Sequence, residues 1–180
     1  YLHTQRGAAG LAANRAAFCC LLWRLWSPGY PLSDAEYATT AAITRTFGTH
    51  VFDTLFAMND KGEIKPQMVE SYDSSPDKLT WTFVLRDGLK WHDGNPVTAE
   101  DCIASLKRWG SRDVMGIKLL AYVKELTAPD SRTIRMVLTK PYGLVLESLA
   151  KPAGIVPFMM PKRVAETPAT QQIKDPVGSG

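Results

Sequence analysis

Leu79-Thr80-Trp81-Thr82-Phe83-Val84-Leu85-Arg86-Asp87-Gly88-Leu89-Lys90-Trp91-His92-Asp93-Gly94 is the most regular stretch of the chain, and its reading decides the fold. Trp81, Phe83 and Leu85 alternate with Thr80, Thr82, Val84 and Arg86, which is the period of a strand with one packed face and one wet face. Asp87-Gly88 can reach positive φ, and Leu89-Lys90-Trp91 resumes an extended run, so a hairpin is expected there. A second turn follows at His92-Asp93-Gly94-Asn95. Pro96 then keeps the chain out of helix. Thr98 with Asp101 three residues later is a capping-box start, each side chain serving an orphan backbone N–H. Along the helix so begun, Cys102, Ile103, Leu106 and Trp109 form a buried stripe, Glu100, Lys107 and Arg108 face water, and Gly110 takes the C′ position.

Working outward, Ile43, Phe47, Val51 and Leu55 recur at i, i+4, with Phe52 and Phe56 widening the stripe. The spacing predicts a helix from Ala38 to Phe56, ended by the turn residues Asn59-Asp60-Lys61-Gly62. Pro66 to Tyr72 runs into a further turn cluster, Ser74-Ser75-Pro76-Asp77. Downstream of Pro129-Asp130-Ser131, Ile134, Met136 and Leu138 alternate with Thr133, Arg135 and Val137, a second half-buried strand. The pattern predicts a mixed α/β (α+β) unit built on antiparallel hairpins.

Composition fits a folded domain: 180 residues, 45% hydrophobic and 22% charged. The net charge of +3 comes from 21 basic and 18 acidic residues interspersed with one another, so nucleic-acid binding has no electrostatic support. Cys19, Cys20 and Cys102 make no disulfide framework and no zinc spacing. The chain opens at Tyr1, and Leu2 to Trp26 mixes an Ala-rich run with Arg6, Arg15 and Arg24. Ala16 to Trp23 is far short of the roughly 20 residues that span a bilayer. Basic residues followed by a short apolar run suggest an export signal, but no A-x-A-like site follows, and bulky Phe18 argues against lipid attachment at Cys19. Residues 1–38 therefore read as an aberrant or signal-like lead-in.

Catalytic signatures are missing from the sequence. There is no phosphate-binding G-x-x-x-x-G-K-[ST] loop, no dinucleotide turn, no G-x-S-x-G elbow and no H-E-x-x-H helix. His3, His50 and His92 are far apart, and His92 reads as a turn imidazole bonded to a neighbouring carboxylate or backbone group. Glu100 and Asp101 serve the helix dipole and cap. Cys102, on the apolar stripe, reads as a small core residue. No catalytic residue, metal ligand or cofactor is assigned.

Pro66-Gln67-Met68-Val69-Glu70-Ser71-Tyr72, the stretch from Leu79 to Gly94, and Pro96-Val97-Thr98-Ala99-Glu100-Asp101 together resemble the signature block of extracellular solute-binding proteins of family 5. Val51-Phe52-Asp53-Thr54-Leu55, Ala128-Pro129-Asp130, Lys140-Pro141 and Val177-Gly178-Ser179-Gly180 match the same pattern, so the resemblance covers about Thr39 to Gly180.

The resemblance implies a periplasmic binding protein-like type II fold, in which two lobes close on ligand and an extra domain is attached to the first. On that plan residues 39–52 start lobe I, 53–174 form the extra domain, and 175–180 return to lobe I. The opposing lobe lies beyond this N-terminal fragment. Pro31-Leu32-Ser33-Asp34 stands where the family has a Leu-Asp-Pro-like strand, which suggests that this strand is lost or scrambled. The implied function is that of the substrate-binding subunit of an ABC importer. Such a subunit captures peptides or similar small solutes outside the inner membrane and delivers them, as a periplasmic monomer, to a membrane permease. A ligand-sensing or interaction protein for a receptor, or a fragment without binding activity of its own, is the alternative. Thr40 and Ala42 are placed at the ligand cleft, or else are a plain helix N-terminus. Arg112, Asp113 and Met115 reach the cleft too, or else Arg112 and Asp113 form a solvated ion pair. Asp53, Trp81, Trp91 and Asp93 read as scaffold.

Overall fold

Trp81, Phe83 and Leu85 share a buried face in β4 (Thr80–Leu85), as their alternation requires. The computed structural model describes residues 48–168 and 177–180. β4 lies between β3 (Val69–Ser74) and β6 (Thr133–Leu138), and β5 (Val123–Thr127) closes the far side, giving a four-stranded antiparallel sheet of order β3-β4-β6-β5. Phe83 stands opposite Ile134, and Trp81 opposite Met136, so the two alternating strands put their apolar sides on the same face. β1 (Phe56–Met58) and β2 (Ile64–Pro66) form a separate hairpin. Beyond the helical residues 48–51, the described residues hold four helices: α1 (Ala99–Gly110), α2 (Val114–Tyr122), α3 (Val145–Leu149) and α4 (Lys162–Ala165). The buried stripe of α1 joins the apolar sheet face in one continuous core.

The capping box forms as read. Asp101 N–H donates to Thr98 Oγ1 at 3.3 Å, and Thr98 N–H to Asp101 Oδ2 at 2.9 Å. Cys102, Ile103, Leu106 and Trp109 are buried, while Arg108 is only half-exposed and donates to the Thr167 carbonyl. Burial first, and the adjacent Asp101 charge second, push the Cys102 thiol well above its ordinary range. The nucleophilic thiolate is therefore suppressed at neutral pH. Iodoacetamide at pH 8 is expected to spare Cys102 in the folded chain and modify it in urea, as read by peptide mass spectrometry; modification of the native protein would contradict the burial.

Three local expectations are corrected. The helix expected as far as Phe56 ends, within the described residues, at position 51. Gln67 N–H bonds Leu55 O at 3.0 Å and Met68 N–H bonds Thr54 O at 3.2 Å, so the backbone is already pairing with another segment, and Phe56 opens β1. The apolar run Phe52, Leu55, Phe56 is buried either way, which is why its period did not decide between helix and strand. The turn at 59–62 accordingly joins β1 to β2.

The expected hairpin at Asp87-Gly88 does not form with β4, because both edges of β4 are taken by β3 and β6. Gly88 does take positive φ (72°), but it starts a loop closed on itself, with Lys90 bridged to Pro96 and Trp91 N–H donating to Asn95 O at 2.9 Å. Gly110 is the last residue of α1, not a left-handed C′ residue, and Ser111 is the cap. Its role is space: a Cβ there would lie 2.2 Å from Leu120 Cδ1, so glycine lets α2 fold back against α1.

Candidate functional site

Arg112, Asp113 and Met115 come together at the corner between α1 and α2. The corner is tight because Arg112 and Asp113 N–H both donate to the Trp109 carbonyl at 3.0 Å. Asp113 is the N-cap of α2, its Oδ1 accepting from Met115 N at 2.9 Å and Gly116 N at 3.1 Å. Its Oδ2 accepts from the Lys151 ammonium. The side chain is only 4% exposed.

This corrects the solvated pair of Arg112 with Asp113. The first-turn amides of α2 draw the carboxylate inward, where Lys151 is its partner, and Arg112 is left on the surface. Met115 is half-buried against the core. Thr40 and Ala42 lie outside the described residues.

Sequence reasoning missed the other half of this corner. Val114 is 80% exposed and Ile117 51% exposed, one turn apart on the outer side of α2. The inner side carries Gly116 and Leu119, both buried. A helix apolar on both sides fits between two layers, and among the described residues only one layer packs on α2. The signal was legible: in Val114-Met115-Gly116-Ile117-Lys118-Leu119-Leu120-Ala121-Tyr122 the one charge is Lys118.

The residues expected to be scaffold are bonded within the chain. Asp53 accepts from Gln67 Nε2 at 2.7 Å and from Ser179 Oγ at 2.9 Å. Asp93 accepts from Asn95 N at 3.0 Å and pairs with Arg163 at 3.1 Å; these contacts hold its carboxyl below the usual range, the Asn95 backbone N–H contributing most. Trp81 and Trp91 are buried and donate through Nε1 to Lys78 O and Asp101 Oδ2 respectively.

His92 does bond backbone groups, but distant ones. Its N–H donates to Gly178 O at 2.8 Å, its Nε2 lies 2.9 Å from Gly180 O, and Gly178 N–H donates to its Nδ1 at 3.4 Å. A carbonyl can only accept, so Nε2 is the donor in the contact with Gly180 O. The imidazole is a clamp on residues 177–180. Among the described residues no group of three or more His, Cys, Asp or Glu is placed to hold a metal, and no helix is long and apolar enough to cross a membrane.

Residues 63–180 match the middle region of the bacterial extracellular solute-binding proteins, family 5. The chain belongs to that family. Among curated relatives, this family 5 chain is 41% identical over 143 residues to a probable peptide ABC transporter periplasmic-binding protein of Sinorhizobium fredii. The match covers 79% of this chain and 26% of that protein, so the chain spans about a quarter of its relative's length. The binding protein AgaA of A. tumefaciens R10, solved in complex with agropinic acid, superposes with a TM-score of 0.70 at 28% identity, covering 84% of this chain and 30% of that one. The murein tripeptide binding protein MppA of Escherichia coli gives a TM-score of 0.65 at 26% identity over 83% of this chain and 33% of its own. The fold is thus part of the type II periplasmic binding protein fold, as the signature block implied.

Proposed function

We propose that this chain is the extra domain, residues 53–174, with the lobe I edges 39–52 and 175–180, of the substrate-binding subunit of an ABC importer. The whole protein captures peptides or similar small solutes in the periplasm and presents them, as a monomer and without a catalytic step, to a membrane permease. The observation that carries this reading is the 143-residue match to a peptide ABC transporter periplasmic-binding protein at 41% identity. The outer side of α2 supports it. A helix with Val114 and Ile117 bare in water needs a second apolar surface, and cargo or a closing lobe supplies one. On this reading Arg112, Val114, Met115 and Ile117 form the cleft edge on this half, and Thr40 and Ala42, within the start of lobe I, are the further cleft residues that the family resemblance implies. Asp113, turned inward, holds them in place.

The test is calorimetry on the full-length protein with a pool of di- to hexapeptides. Micromolar or tighter binding without hydrolysis is expected, with affinity reduced about tenfold by Arg112→Ala or Val114→Asp, and with the 180-residue chain alone binding at least about a hundredfold more weakly because half the cleft contacts are gone. Turnover of a bound peptide, or tight binding by the isolated chain, would overturn the proposal.

A further inference from the structure

The corner that carries Arg112 and Met115 is tied at two points to one irregular segment, residues 150–158. Lys151, 38 residues after Asp113 and just beyond α3, bonds the Asp113 carboxylate. Trp109, buried at the end of α1, donates its Nε1–H to Ile155 O at 2.9 Å. The other end of the same segment is anchored where residues 48–53 lie. Val156 and Phe158 pack with Phe52, a Cβ on Gly48 would sit 2.7 Å from the Phe158 ring, and Met159 N–H donates to Asp53 O at 2.9 Å. The segment thus runs as a strut from the α1–α2 corner to the end of the helix at position 51.

The corner itself has no slack. A Cβ on Gly116 would lie 2.9 Å from both Gly110 Cα and the Trp109 ring, so α2 sits in close backbone contact with α1. Both Asp113 oxygens are occupied, and the Lys151 side chain is only 20% exposed. The Asp113 carboxylate is thus turned away from cargo, and the Lys151 ammonium is directed at it. Taking two charges from water costs about as much as their attraction returns, so a buried pair of this kind specifies geometry more than it adds stability.

We infer that Asp113 and Lys151 are a positioning pair that fixes the cleft-edge corner to the lobe I junction and does not itself contact ligand. This rests on the reading of the corner as cleft edge.

The experiment uses the full-length protein and the double variant Asp113→Asn/Lys151→Met. The asparagine side chain keeps an oxygen for the α2 cap, and neither partner is left as a lone buried charge, so the thermal midpoint is expected to stay near wild type. Amide hydrogen exchange at Met115 and Gly116 is expected to quicken about tenfold, with unchanged exchange in β4 and β6, and affinity for the di- to hexapeptide pool to fall several-fold. Lys151→Arg in the otherwise wild-type chain, which keeps the pair with Asp113, should leave both at wild-type values. Unchanged corner exchange in the double variant overturns the inference. So does quickened exchange with undiminished pool affinity, provided Arg112→Ala weakens binding. Failure of Arg112→Ala to weaken binding overturns the cleft-edge reading itself, and the inference with it.

Discussion

Truncating Phe83 to alanine is expected to lower the unfolding free energy by about 3–5 kcal/mol, the range for removing a fully buried aromatic ring. The side chain is 0% exposed. Its ring meets Phe56 of β1 edge-on at 5.7 Å and lies 6.3 Å from the Trp81 ring in a stacked orientation, and across the ladder it stands opposite Ile134 of β6. The hole would open where the β1–β2 hairpin meets the main sheet, between strands whose register is fixed on both sides, so the walls can collapse only partly. Against a total stability of about 5–15 kcal/mol for an ordinary domain, the loss is a large fraction of the whole. Urea titration followed by far-UV circular dichroism reads the effect. Thr82→Ala, one residue away on the opposite face, should cost less than about 1 kcal/mol. Equal losses for the two variants would deny the alternation on which the fold reading rests.

That alternation was legible because period two is a local property. β4 and β6 each carry their face assignment within six residues, and the Thr98–Asp101 box names its own helix start. What the sequence hid was decided by partners far away. Asp87-Gly88 signals a turn correctly, yet nothing local says that β4 has both edges filled by β3 and β6. β5 is an edge strand with a bulge between Val123 and Glu125, so its burial does not alternate and no period announces it. α2 gives no amphipathic stripe, and its near-uncharged composition, with Lys118 the one charge, was the local sign left to read.

The site shows the same division. Arg112 beside Asp113 looks like a surface pair until Lys151 arrives from beyond α3 and the α2 amides claim the other carboxylate oxygen. Charge type could be read from the sequence, but the direction in which the carboxylate points could not. Trp81, Trp91 and Asp93, expected to be scaffold, bond to turns and a cap whose residues are themselves marked in the sequence, whereas Asp53 bonds Gln67 and Ser179, partners that no local pattern announces.

Gly178→Ala is expected to expel residues 177–180 from their seat. A Cβ at that position would lie 1.8 Å from Val51 O and 2.7 Å from Val51 C, and these are backbone atoms at the end of the helical residues 48–51, not the yielding tip of a side chain. The requirement is for space, since Gly178 is not among the glycines with positive φ. Relief of the clash must separate the two segments. That breaks Gly180 N–H to Val51 O, His92 N–H to Gly178 O and Ser179 Oγ to Asp53 together, because all three depend on the same approach. Hydrogen exchange in the full-length protein is the direct measure: the His92 and Gly180 amides should lose about a hundredfold or more of their protection while those of β4 and β6 keep theirs. His92→Ala should give a smaller loss, since it removes the imidazole clamp but leaves the backbone bond from residue 92 to Gly178 in place. If the alanine variant at 178 keeps the His92 amide protected, the close packing of this segment on Val51 is wrong. If His92→Ala matches Gly178→Ala, the imidazole and not the backbone approach is what holds residues 177–180 against residues 48–92.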